Sequence, residues 1–235
     1  MKAAIIAAGV GERLTLGGIR TPKPLVPVGG RPLIERIIGA AARLGMSSAA
    51  CIVNDVQRDV AEFLRSTSWP IPLELTVKTT PSSMESLFCL EPFLREEPFL
   101  LFTVDVVFGF ATVRDFLAAA QECKGAAGVL ALTDHIDDEK PLWAKIQGDS
   151  RITALGDTAR GSRYVTAGFY YFEPTIFSLV DAARRRNLTA LRQFLGLLIA
   201  TGHSLCGLPV AKTIDVDYAE DIQKADRFLK EINER

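Results

Sequence analysis

The sequence has no cysteine pair at metal or redox spacing, no apolar run long enough to span a bilayer, no basic excess, no internal repeat and no Ser/Gly-rich linker. Each absence removes a class of function. The four cysteines, Cys51, Cys89, Cys123 and Cys206, are distant in sequence and lack a neighbouring histidine cluster, so neither a zinc site nor a C-x-x-C site is expected. They read as reduced, mostly buried thiols. Apolar runs stay below about 18 residues, and "MKAAIIAAGVGER" places glycine, glutamate and arginine where a leader would be cleaved. A cytoplasmic protein is the expectation. With 27 Lys plus Arg against 28 Asp plus Glu, the formal charge of −1 gives no support to a nucleic-acid or membrane partner. His135 and His203 have no spacing for catalysis or metal binding, and no Ser/His/Asp or Cys/His arrangement can be argued.

What is present is a chain of 235 residues, 48% hydrophobic, long enough to bury a large core. A single continuous domain over 1–235 is the simplest organisation. Its first half alternates strand and helix: strands at 2–8, 48–54, 73–79 and 98–105, helices at 32–46, 55–67 and 82–94. Asn54 or Asp55 would cap the second helix. This alternation predicts an α/β fold with a parallel sheet and right-handed crossovers. After residue 125, "GAAGVLALT", "PLWAKIQGD", "RITALGD" and "YVTAGFYYFE" predict a more antiparallel section, followed by helices over about 174–200, strand character over 203–216 and a closing amphipathic helix.

The first strand runs straight into "AAGVGERL", residues 7–14. Glycine there lets backbone N–H groups approach phosphate oxygens at the carboxyl end of a strand. The loop has only G-x-G and no direct continuation into a helix, which disfavours a dinucleotide fingerprint, and it lacks the G-x-x-x-x-G-K-[ST] of a P-loop. It continues as "TLGGIRTPKPLVPVGGRPLI", in which Pro22 and Pro24 would hold Lys23 extended, while Arg13 and Lys23 are potential phosphate ligands.

Taken together, "AAGVGERL" and "TPKPLVPVGGRPLI" resemble the opening signature of the sugar-phosphate nucleotidyltransferase family, A-A-G-x-G-x-R-[LM] followed by P-K-P-[LM]-x-P-[VI]-x-G-x-P-[LM]. The resemblance implies a Rossmann-like mixed, mainly parallel sheet flanked by helices. It also implies a nucleotide-binding half of about 1–125 and an acceptor-binding half of about 126–235. Arg13 would hold the β- and γ-phosphates and Lys23 the developing charge at the α-phosphate, with Ala7, Ala8, Gly9, Gly11, Ser82 and Ser83 around the nucleotide. Ser82 and Ser83 equally suit helix N-caps. The absence of a following β-helix or acyltransferase segment resembles the compact members of the family.

Transfer of a nucleotidyl group to a phosphate brings two anions together, so magnesium is the expected cofactor, held by one or two carboxylates with phosphate oxygens and water. Asp105 closes the buried strand "PFLLFTVD", and "TIDVDYAED" resembles the family's second acidic motif, with Asp215 favoured as ligand and Asp217 as the alternative. Asp217 could instead cap the last helix with Glu220 three residues on. Val104 and Tyr218-Ala219 depart from the family's x-G-D and T-P.

On the acceptor side, "YVTAGFYYF" resembles the family's N-A-G-[IV]-Y strand, nominating Thr166 and Gly168, the glycine allowing a ligand close, while Lys145 could neutralise an incoming phosphate. Asp134, Asp137, Asp138, Glu139 and Trp143 could face a cationic acceptor such as phosphocholine, or form a solvated loop. Arg184 to Arg186 read as solvated. The partners expected are thus a nucleoside triphosphate and a phosphorylated small acceptor, either a sugar 1-phosphate or a choline or alcohol phosphate. A D-x-D glycosyltransferase, from "DVD", and a non-enzymatic nucleotide sensor are the alternatives.

Overall fold

The structure is a computed structural model and describes residues 1–136 and 139–232. In chain order its first half contains β1 (Lys2–Ala7), α1 (Glu12–Leu16), β2 (Pro27–Val28), β3 (Arg31–Pro32), α2 (Leu33–Arg43), β4 (Ala49–Val53), α3 (Arg58–Ser66), β5 (Leu73–Val77), α4 (Ser83–Leu94), β6 (Phe99–Thr103), β7 (Val106–Val107) and α5 (Phe110–Gln121). The second half adds β8 (Gly128–Thr133), β9 (Trp143–Ile146), β10 (Ile152–Leu155), β11 (Tyr164–Phe172), α6 (Val180–Arg185), α7 (Leu191–Ala200), β12 (Leu205–Pro209), β13 (Ile214–Asp215) and α8 (Ala219–Glu231).

Burial on both faces explains why β1 reads as an unbroken apolar run: Ala3, Ile5 and Ala7 join one core cluster, and Ala4 and Ile6 the other. The first cluster takes its helical residues from α1, α2, α3, α5 and α8, the second from α4, α6 and α7, so helices cover both faces of the sheet. The main sheet runs β10-β9-β11-β6-β1-β4-β5, with β8 bonded to both β11 and β12. Strands β6, β1, β4 and β5 are parallel, as the first half predicts. β11 is antiparallel to β6, β8 and β9, as expected of the second half, whereas β12 runs parallel to β8. No helix among the described residues is long and apolar enough to cross a membrane.

Several local expectations are corrected. The glycine loop does lead into a helix, the five-residue α1, with Gly11 in the left-handed region at its start. Lys23 is not extended: Pro22 is, and Lys23–Leu25 then closes a 3₁₀ turn through Leu25 N–H to Pro22 O at 2.8 Å. Helix α3 starts at Arg58, because Asn54 Oδ1 instead accepts the Gln57 N–H at 2.8 Å and Asp55 accepts the Thr79 hydroxyl. The sequence reading assigns no element to the segment that forms α5, although its buried Val113, Phe116, Leu117 and Ala120 carry helical spacing. Of the cysteines only Cys51 is buried, which pushes its thiol up to about 12. Cys123 and Cys206, distant in sequence, are spatial neighbours; burial first, and Cys123 second, push the Cys206 thiol up.

Gly168 shows how the site strand is shaped. Between Thr166 and Tyr170 the register of β11 against β8 shifts, and Gly168 sits there at φ +78°. A Cβ on it would lie 2.8 Å from Val106 Cβ and 3.1 Å from Thr103 Oγ1. The space that the sequence reading keeps for a ligand on its α-carbon is therefore filled by the chain's own β6–β7 corner. Gly168→Ala should cost roughly 2–4 kcal/mol, from left-handed strain plus overpacking. Urea denaturation checks this, and a loss under about 0.5 kcal/mol would contradict the packing assigned to this corner.

Candidate active site

Two short strands bring the distant carboxylates together. β13 pairs antiparallel with β7, with Asp215 opposite Val106, and the Val216 N–H extends the ladder to Asp105 O at 3.0 Å. Asp105 follows β6 by two residues, and Asp217 follows β13 by two. Residues 105 and 217, 112 positions apart, thus meet at the carboxyl end of the parallel strands, where open α/β sheets bind ligands. Val104, where the family has glycine, is buried in the core and forms no part of the cavity lining.

Lys23 occupies the place between them. Its Nζ donates to Asp105 Oδ2 at 2.8 Å and to Asp217 Oδ1 at 2.6 Å, and its side chain is only 10% exposed. Arg13 Nη1 takes the second Asp217 oxygen, Oδ2, at 2.9 Å and stacks over the Tyr218 ring. Burial alone would lower the Lys23 pKa, but the two carboxylates outweigh it and hold the ammonium above its ordinary range. Burial likewise pushes the Asp105 carboxyl up, and Lys23, by charge and hydrogen bond, more than reverses it, so that its net shift is downward. Both groups are charged at neutral pH.

Asp217 does not cap α8, as one reading of the sequence has it. Asp221 does so, accepting the Tyr218 N–H at 2.8 Å and the Asp217 N–H at 3.2 Å, which leaves the Asp217 carboxylate to the two cations. Asp217 contacts Lys23 and Arg13, and it lines the neighbouring cavity together with Asp215, two residues back on the same face.

The glycine loop is tied to this cluster from the other side. A Cβ on Gly11 would stand 3.0 Å from Lys23 Cβ, so glycine is required there for its φ of +68° and for the closeness of Lys23. Ala7 and Ala8 are buried at the end of β1, and Gly9 is exposed beyond them. Asn54 and Gln57, to which the sequence reading gives no site role, hold the loop carbonyls: Asn54 Nδ2 reaches Ala8 O at 3.3 Å, and Gln57 Nε2 reaches Val10 O at 3.0 Å. Ser82 acts as the N-cap of α4, accepting the Glu85 N–H at 3.3 Å, whereas Ser83 lines the cavity.

The cavity has a volume of about 400 Å³ and contains Asp105, Asp215, Asp217, Thr166, Gly168 and Tyr170. Tyr170 is buried, and that burial, against a hydrogen bond with Thr166, pushes its hydroxyl up to about 12. Glu139, one of the acids nominated for a cationic acceptor, lines the same space and accepts the Tyr218 hydroxyl at 2.7 Å, and His135 and Arg192, not nominated from the sequence, line it too. Lys145 is not brought there; it is exposed on β9 and absent from the lining. Trp143 lies outside the lining too, Asp134 pairs with Arg163 at 3.2 Å on the surface, and Asp137 and Asp138 lie outside the described residues. Arg184 is not merely solvated: it grips both Glu85 oxygens, at 3.1 and 2.8 Å.

Among the described residues no three His, Cys, Asp or Glu side chains form a metal cluster. Two carboxylates converging on one buried ammonium nevertheless suit a small hard cation, because magnesium takes one or two carboxylates and leaves its other positions to phosphate oxygens and water. The Lys23 ammonium is the stand-in cation that shows this fit.

A CMP-5'-(3-aminopropyl)phosphonate synthase from Streptomyces rubellomurinus is 31% identical over 163 residues, covering 61% of this chain; the chain spans about a quarter of that relative's length (26%). A UTP-glucose-1-phosphate uridylyltransferase from Haloferax volcanii is 24% identical over 239 residues, covering 98% of this chain and 97% of its own. The structure of an inositol-1-phosphate CTP transferase from T. maritima superposes with a TM-score of 0.83 at 20% identity, over 99% of this chain and 96% of that one, which shows a shared fold. Residues 3–196, most of the chain, match one domain family, and the chain belongs to it: the MobA-like NTP transferase domain family.

Proposed function

We propose that this protein transfers a nucleoside monophosphate from a nucleoside triphosphate to the phosphate or phosphonate group of a small acceptor, releasing pyrophosphate. The observation that carries this reading is the Asp105–Lys23–Asp217 arrangement with Arg13 on the outer oxygen, wedged between the glycine loop and the cavity. An acceptor oxygen forms the new bond to the α-phosphorus as the bond to the β-phosphate oxygen breaks. The attacking oxygen is already ionised at neutral pH, so the chemistry asks for positioning and charge neutralisation rather than a base.

On this reading the glycine loop cradles the triphosphate, with Arg13 beside the β- and γ-phosphates and Lys23 beside the α-phosphate. Asp105 and Asp217 would hold magnesium, which when bound supplies charge neutralisation at the reacting phosphate. A metal held by Asp105 and Asp217 would take over the neutralisation that Lys23 now provides, which would leave the Lys23 ammonium for phosphate oxygens. Thr166, Tyr170 and Ser83 are the polar groups offered to the acceptor. The acceptors named for the two relatives, an aminoalkyl phosphonate and a hexose 1-phosphate, share the phosphorus oxyanion that this reading requires.

The test is a pyrophosphate-release screen of CTP, UTP, GTP, ATP and dTTP with magnesium against choline phosphate, 3-aminopropylphosphonate and several sugar 1-phosphates. Release that depends on both partners is the expected result. Nucleoside diphosphate released from a nucleotide sugar would favour the D-x-D glycosyltransferase instead, and triphosphate binding with no release against any acceptor would favour a sensor. In the active pair, Asp105→Ala, Asp217→Ala and Lys23→Ala should each lower kcat by about 10²–10³-fold with the circular dichroism spectrum retained. Asp215→Ala should retain more than roughly a tenth of the turnover, since it is Asp217 that holds both Lys23 and Arg13. Equal losses at Asp215 and Asp217 would contradict that distinction.

A further inference from the structure

The geometry points to Asn54 and Gln57 as positioning residues that aim the backbone N–H groups of Gly9, Val10 and Gly11 at the nucleotide. This inference rests on the transferase reading and adds to it the device that shapes the loop. Asn54 stands one residue beyond β4, beside Ala8, which stands one residue beyond β1, and it is 1% exposed. A buried amide must use its donors and its acceptor locally. Its Nδ2 donates to Ala8 O at 3.3 Å and to Gln57 Oε1 at 3.1 Å, with a longer contact of 3.5 Å to Gly9 O, and its Oδ1 accepts the Gln57 N–H at 2.8 Å. Gln57, locked by these bonds, extends Nε2 to Val10 O at 3.0 Å.

Three successive carbonyls of the loop, those of Ala8, Gly9 and Val10, therefore turn toward the connection between β4 and α3. In a trans peptide the N–H of the next residue points the opposite way, and the described chain has no cis bond. The Gly9, Val10 and Gly11 N–H groups thus face away from that connection, and among the described residues none of them has a protein acceptor. Gly9 and Val10 are exposed, so the three donors open outward from the carboxyl end of β1. A row of N–H groups fixed in advance binds anionic or carbonyl oxygens without first having to order the loop. Neutral amides suit the clamp, since a carboxylate at either position would repel the carbonyls it must hold.

Asn54→Asp keeps the shape and the Oδ1 contact but removes both donors; Gln57→Ala removes the bond to Val10 from a half-exposed side chain. Each should raise the Kd and the KM for the triphosphate about tenfold, with the acceptor KM little changed, because only the loop is loosened. Gln57→Glu should behave like Gln57→Ala, and Asn54→Gln should fail to rescue. In the free protein the amide protons of Gly9, Val10 and Gly11, followed by NMR, should shift on triphosphate addition in the wild type and broaden in both variants. Unchanged triphosphate Kd in both variants, or equal rises in triphosphate and acceptor KM, overturns the clamp while leaving the transferase reading intact. A wild-type protein that binds none of the five triphosphates overturns both.

Discussion

One buried ammonium organises the site. Lys23 Nζ lies within 2.8 Å of a carboxylate from the middle of the chain and 2.6 Å of another from near its end, and it offsets the repulsion between the two acids. Much of the nearby local structure serves that placement. The 3₁₀ turn after Pro22 presents the lysine, the glycine at position 11 lets it approach the first loop, and the β7–β13 ribbon delivers Asp217 from the far end of the sequence. Asp221 takes over the capping of α8, so that Asp217 keeps both oxygens for Arg13 and Lys23.

The cluster also divides the space around it. On one side lies the glycine loop, fastened through Asn54 and Gln57 to the adjacent strand; on the other lies a cavity of about 400 Å³ walled by β11, the ribbon and the start of α7. Arg13 and Lys23 place two positive charges between that loop and the cavity. The bulge at Gly168 lets β11 sit close over Thr103 and Val106, which sets one wall of the cavity.

Much of this was legible in the sequence because it rests on local chemistry. The parallel core strands show as apolar runs, Gly45 at φ +74° ends α2 where the pattern stops, and the order of Arg13 and Lys23 along "AAGVGERL" and "TPKPL" marks the first loop. What failed depends on distant pairing. Asp217 reads along the chain as the alternative to Asp215 or as a helix cap, and only the register of β13 against β7 and the capping by Asp221 give it to Lys23 and Arg13. Lys145 carries the right charge on a strand of the right half, yet it falls on the exposed face. Asn54 reads as a helix cap because its partners, the carbonyls of residues 8 and 9, lie more than 40 positions away. Gln57 carries no signal of its own until the two loops are seen side by side.

The claim on which the account rests is that Lys23 and a divalent cation are alternative occupants of the place between Asp105 and Asp217. Titration of the nucleotide-free protein with Mn²⁺, followed by electron paramagnetic resonance, tests it directly by comparing the wild type with Lys23→Met. Removing the ammonium leaves Asp105 without its cation and Asp217 with Arg13 alone, so the variant should bind one Mn²⁺ at least about tenfold more tightly than the wild type, and adding Asp217→Asn should abolish the gain. Equal or weaker Mn²⁺ binding by Lys23→Met would contradict it.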